Sequence, residues 1–120
     1  MQKVGVVDDA EDAKAETLLE KNFWSPRYVE QFGKQKVTFL KSESAKQFAK
    51  QLWDAGGTFN DDEQAMYGVF RQLKTKVQVS QLAKVFFNMY GQDLAQYLAN
   101  HLNNDELAII YGITNKLKAK

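Results

Sequence analysis

SAKQFAKQLWDAGGTFNDDEQAMYGVFRQLKTKVQVSQLAKVFFNMYGQDLAQYLANHLNNDELAIIYGI, from Ser44 to Ile113, decides the fold, because helix start and stop signals recur along it in register with apolar residues at helical spacing. Ser44 and Gln47 have capping-box spacing, Ala45, Phe48, Ala49 and Leu52 share one face, and Gly56-Gly57 predicts a left-handed stop. Either Asn60 with Glu63 or Asp61 with Gln64 opens the second helix, whose inward face carries Met66, Val69, Phe70 and Leu73. The acidic run Asp61-Asp62-Glu63 suits the positive end of that helix. Thr75 with Gln78 opens the third, with Val79, Leu82, Val85, Phe86 and Met89 inward until Gly91 ends it. Asp93 starts a short fourth helix through Leu94, Leu98 and Leu102, and Asn103 with Glu106 opens a fifth carrying Leu107, Ile110 and Ile113. Local signals and periodicity agree throughout, so the expected class is all-α. Each fully buried large side chain contributes about 1.5–3 kcal/mol, and some fifteen of them offset the entropy of ordering a unit of this size.

Residues 1–41 read as an N-terminal arm attached to a helical domain at 42–120. Between Asp8 and Lys21 the apolar positions Ala13, Leu18 and Leu19 make only a thin stripe, which leaves a docked helix and a mobile lead both open. The next signal is firmer. In Phe23-Trp24-Ser25-Pro26 the serine can cap a short helix from Pro26 to about Gln31, with Trp24 placed to staple onto Val29 and Gly33 to end it. Lys36 to Leu40 then reads as an extended connector anchored by Val37, Phe39 and Leu40. This aromatic cluster either plugs one end of the helical core or docks a partner, and the plug is favoured because exposed patches of large apolar residues are uncommon.

Composition removes whole classes of chemistry. With no cysteine the chain has no disulfide, thiolate nucleophile or Cys-based metal site. Sixteen basic residues against fifteen acidic ones leave a net charge of +1, so any electrostatic partner must be recognised locally. The start of the chain turns acidic after four apolar residues, which is not a signal-peptide pattern, and no apolar stretch reaches the eighteen residues a membrane span needs. A soluble chain, cytoplasmic or virion-associated, is expected.

The order of these elements resembles one annexin repeat: a helix, a Gly-Gly-Thr turn followed by acids, a helix carrying Ala65-Met66-Tyr67-Gly68-Val69-Phe70, and a longer helix ending Met89-Tyr90-Gly91. The segment Tyr90-Gly91-Gln92-Asp93-Leu94, followed by Tyr97-Leu98, is similar to the aromatic-Gly-x-Asp-Leu signature that opens the fourth annexin helix. The likeness runs from about Ser42 to Leu117. It is also similar to single-repeat, annexin-like modules of small bacterial and bacteriophage proteins, whose Phe-x-Pro arm Phe23-Trp24-Ser25-Pro26 approximates. The resemblance implies a right-handed superhelix with the turns at Gly56 and His101 on one face. It also implies a degenerate calcium turn. Of the turn positions Gly56, Gly57 and Thr58, the last two match the family, but Ala55 replaces the first glycine, and His101 stands where the family has its acidic ligand. An imidazole cannot replace a carboxylate for a hard cation, so no cofactor is expected, calcium included.

Other chemistry finds less support. His101 is the sole histidine, without the co-ligands of a zinc site or the Gly-x-Ser-x-Gly of a hydrolase, and it suits the negative end of a helix. Gly56-Gly57 lacks the remaining residues of a phosphate loop. Arg71, Lys74 and Lys76 cluster at one turn, and Lys116, Lys118 and Lys120 at the end of the chain. They read as solvated helix ends or as a local patch for phosphate or lipid headgroups, without the aromatics of a nucleic-acid site. The expected function is a non-enzymatic structural module whose partners are other proteins of an assembly, a phage virion included. The alternative is a peripheral membrane module. No specific nucleic acid and no small-molecule substrate is indicated. Interaction candidates are Phe23, Trp24, Pro26, Val37, Phe39, Arg71, Lys74 and Lys76.

Overall fold

The computed structural model describes residues 22–57 and 62–120, and in them the chain is all-helical. A 3-10 helix, Tyr28–Phe32, precedes α1 (Ser42–Gly56), α2 (Glu63–Arg71), α3 (Lys76–Tyr90), α4 (Leu94–His101) and α5 (Asn104–Asn115). Helix α1 packs on α2 and α3, α2 on α5, and α4 against α3 and α5; the 3-10 helix lies on α3. The helix expected between Asp8 and Lys21 lies outside the described residues.

Three of the start signals act as read. Thr75 Oγ1 accepts from the Gln78 N–H at 3.1 Å, and Asp93 from the Gln96 N–H at 2.9 Å. Asn103 and Glu106 close both halves of a capping box at 2.9 Å. Gly91 ends α3 in the left-handed region at φ 69°, its N–H donating to the Phe87 carbonyl at 2.7 Å. Gln78 departs from the box: its Oε1 accepts from the Lys74 N–H, one residue before the position a closed box would use.

Other boundaries shift. Helix α1 already begins at Ser42, with Lys41 as its cap and no side-chain bond there, so Ser44 lies inside the helix. Helix α2 is capped by Asp62, which accepts from the Ala65 N–H at 3.0 Å, rather than by Asn60 or Asp61. The short arm helix is a 3-10 helix starting at Tyr28, after Ser25 Oγ accepts from the Arg27 N–H at 3.2 Å. The Trp24 ring meets Phe70 at 5.3 Å and Tyr111 at 6.0 Å, on the helical body.

Helix α3 runs through the centre. Val77, Val79, Leu82 and Phe86 are fully enclosed, with Phe70, Leu52, Met66, Leu98 and Ile110 completing the core around them. The first half of α3 is covered on nearly every side, down to Gln78 and Ser80, by the arm and the C-terminal tail. In its second half the inward row passes through Leu82, Phe86 and Tyr90. Met89, expected inside, falls off this row and is 41% exposed. Val85, Leu107 and Ile113 are half-buried against the core.

Phe86 sits among the rings of Trp53, Tyr90 and Tyr97 at 6.2, 5.1 and 4.9 Å. Phe86→Ala should therefore lower the unfolding free energy in urea by about 3–5 kcal/mol, the cost of a large core cavity. A loss below about 1 kcal/mol would place Phe86 outside the core.

Candidate interaction surface

The arm is held by polar side chains from one half of α3. Gln81 clamps the backbone of Leu40 in both directions, its Oε1 accepting from the Leu40 N–H at 2.7 Å and its Nε2 donating to the Leu40 carbonyl at 2.9 Å. Thr75 Oγ1 donates to the Thr38 carbonyl at 3.2 Å, and Ser80 Oγ donates to the Ser25 carbonyl at 2.7 Å. These bonds supply partners for an extended strand-like segment that has no sheet to join. Gln81 and Ser80 escaped the sequence reading. Their signal was an adjacent polar pair, Ser80 and Gln81, set between the apolar residues Val79 and Leu82.

The arm residues divide accordingly. Phe23, at 6% exposure, and Tyr28 lie in the same buried cluster as the helices, with Trp24 and Val37 packed against it, so the described arm plugs the core. Pro26 and Phe39 remain outside. They line a 220 Å³ hollow with Val29, Val77, Ser80, Gln81 and Lys84, and Phe39 is 53% exposed at its rim. Phe87, the next residue along the Ser80–Lys84 row of α3, is 54% exposed. This is an apolar ledge on which water touches two phenyl rings.

The basic candidates also separate. Lys76 is not a solvated cation: its Nζ donates to the carbonyls of Asn115, at 3.1 Å, and Leu117, and lies 5.4 Å above the Phe23 ring. It therefore holds the C-terminal end of α5. Arg71 rests 5.7 Å from the Tyr67 ring, and Lys74 projects into solvent while its backbone N–H bonds to Gln78.

Gly56 and His101 come together as the resemblance implies, but their surroundings are aromatic. Gly56 is the last residue of α1, and Gly57 follows at φ −88°, so the predicted left-handed stop is a right-handed one. A Cβ on Gly56 would stand 2.1 Å from Tyr97 Oη and 3.3 Å from His101 Cδ2. The glycine is present because another ring occupies that space, and not for its dihedral freedom. Tyr97 Oη donates to the carbonyls of Trp53, at 2.8 Å, and Leu52, at 3.1 Å, so carbonyls at the end of α1 serve the phenol. The Tyr97 ring lies 4.4 Å from His101 and 5.6 Å from Trp53, which stacks on Tyr90 at 4.3 Å and 4°. Thr58 lies outside the described residues. Asp54, beside this turn, accepts from Lys50 Nζ at 2.7 Å; that hydrogen bond, and then the attraction of the same carboxylate, raises the ammonium above its ordinary value. Among the described residues no three His, Asp or Glu side chains group to hold a metal, and no helix is long and apolar enough to cross a membrane.

Comparison with protein-family models, with curated proteins and with solved structures yields no match.

Two measurements check this face. Alanine ordinarily favours a helix over glycine by about 1 kcal/mol, but Gly56→Ala should destabilise the protein by about 1–3 kcal/mol, because the methyl overlaps the Tyr97 hydroxyl. A neutral or stabilising result in urea would mean that the Tyr97 contact is absent in solution. Millimolar calcium should leave the melting temperature unchanged; a clear rise would reveal a cation bound by the folded state.

Proposed function

We propose that this protein is a non-enzymatic interaction module, a single annexin-like right-handed repeat with its arm folded over one end, serving as a structural part of a larger assembly such as a bacteriophage particle. The observation that carries the reading is the division of labour on α3. Ser80 and Gln81 on this helix, with Thr75 at its cap, bond the protein's own arm, while Phe39 and Phe87 stand half-exposed beside them. Exposed apolar surface of this kind marks a contact with another protein. The order of five helices, and the meeting of Gly56 with His101 at one end, support the annexin-like part of the reading. The phage assignment rests on the resemblance of the arm and repeat to single-repeat phage proteins, an argument by analogy.

Peripheral binding to a membrane is the second reading, favoured by the many solvent-facing lysines around the end of the chain. One pair of experiments separates the two. Density-gradient-purified particles from the producing culture should contain the protein at a fixed copy number by quantitative mass spectrometry, and the Phe39→Asp, Phe87→Asp variant should fold yet fail to be incorporated. Absence from particles, together with co-sedimentation on phosphatidylserine vesicles with or without calcium, would overturn the assembly reading.

A further inference from the structure

The net charge of +1 conceals an uneven distribution. The described residues hold thirteen basic and eight acidic side chains, a net of +5, whereas residues 1–21 hold three basic and six acidic, a net of −3; the remaining acid is Asp61. Within the described part, three stretches of twelve residues or more contain no acid at all: 31–42, 64–92 and 107–120.

The tertiary structure joins these three stretches. Lys76 and Val77 donate their N–H groups to the carbonyls of Lys118 and Ala119, at 2.7 and 3.1 Å. Thr75 Oγ1 bonds to the Thr38 carbonyl, and Lys120 Nζ to Gln35 Oε1. Lys34, Lys36, Lys74, Lys116, Lys118 and Lys120 are thereby gathered from three distant parts of the chain, all exposed. Among the described residues the two ion pairs are Arg27–Glu30 and Lys50–Asp54, and neither involves any of the six. Six like charges without a counter-charge repel one another and attract any anion that can reach them.

We infer that these six lysines form one basic face and that its ligand is the acidic lead of the same chain, the carboxylates of Asp8, Asp9, Glu11, Asp12, Glu16 and Glu20. Charge complementarity is the first argument. The second is where the lead joins the body. Phe23, one residue after Asn22, has its ring beneath the Lys76 ammonium, and Lys76 Nζ in turn bonds to the carbonyl of Asn115, the neighbour of Lys116. The lead thus enters at the edge of the face. The third is reach: 21 residues span up to roughly 70 Å, against a longest molecular dimension of 50 Å. Tethering presents the carboxylates to the lysines at an effective concentration on the order of millimolar, ahead of a second copy in dilute solution.

The test uses the full chain at neutral pH. In amide NMR spectra at 20 mM salt, the signals of Lys34, Lys36, Lys74, Lys116, Lys118 and Lys120 should move when the six acids are changed to their amides. The same shift should fade at 500 mM salt and should not change on tenfold dilution. Signals that stay in place overturn the proposal, and a shift lost on dilution overturns it in favour of pairing between copies. Heparin, as a soluble polyanion probe, gives a second readout. If the lead leaves the face free about one-tenth of the time, amidating the acids should strengthen heparin binding about tenfold. That gain should largely vanish in a Lys74→Gln, Lys116→Gln, Lys118→Gln background, where only side chains change and the capping carbonyls of the tail remain. An equal gain in both backgrounds would show a net-charge effect alone and would sink the inference.

Discussion

The start of α3 is the point on which the rest of the molecule depends. A helix beginning inside a protein brings backbone N–H groups that have no partner in the helix itself. Here Lys76 and Val77 donate to carbonyls of the C-terminal tail, Gln78 donates to the Thr75 hydroxyl, and Val79 donates to the Thr75 carbonyl at 3.4 Å. The exchange is reciprocal, since the Lys76 side chain reaches back to carbonyls at the end of α5. Thr75 adds the third party by donating its hydroxyl to the arm. Thr75, buried at 4% exposure, therefore ties the arm to the central helix, and the next two residues, Lys76 and Val77, tie that helix to the tail. Each unmade bond in that setting would cost about 1–3 kcal/mol.

At the other end of the bundle the dominant constraint is ring packing. Trp53, Tyr90, Phe86, Tyr97 and His101 form a continuous series of contacts from α1 through α3 to α4. Tyr97 reaches the end of α1 only because Gly56 has no side chain, and its hydroxyl is satisfied there by two carbonyls. The turn that the annexin resemblance associates with a cation is thus used for packing. The Leu52 and Trp53 carbonyls at the end of α1 accept from Tyr97, His101 lies against the Tyr97 ring, and the nearest described carboxylate on α1, Asp54, holds a lysine.

These two constraints account for the functional character of the surface. Among the described residues the buried polar side chains Thr75, Gln78, Ser80 and Thr114 make internal bonds, and the surface carries half-exposed Phe39 and Phe87 and a lysine-rich edge where the chain's distant parts meet.

By itself the sequence determined the helical class, the number and order of the five helices, and the caps at Thr75, Asp93 and Asn103, because each of these depends on residues within one or two turns of one another. The core positions Met66, Val69, Phe70, Leu82 and Phe86 were legible for the same reason. What only the tertiary structure decided was everything that depends on residues far apart in the chain. Gly56 looked like a stop signal and proved to be a gap for Tyr97, some forty residues away. Lys76 looked like part of a solvated patch and became the holder of α5, while Trp24 found ring partners in Phe70 and Tyr111, far along the chain. Met89 kept helical spacing but lost its cover, since periodicity defines a face and only packing determines how far along the helix that face is buried. The basic face was divided among three segments: the clusters around Lys74 and from Lys116 to Lys120 were legible in the sequence, and their meeting with Lys34 and Lys36 was not. It exists because backbone N–H groups at the start of one helix had to find carbonyl oxygens, and the tail supplied them.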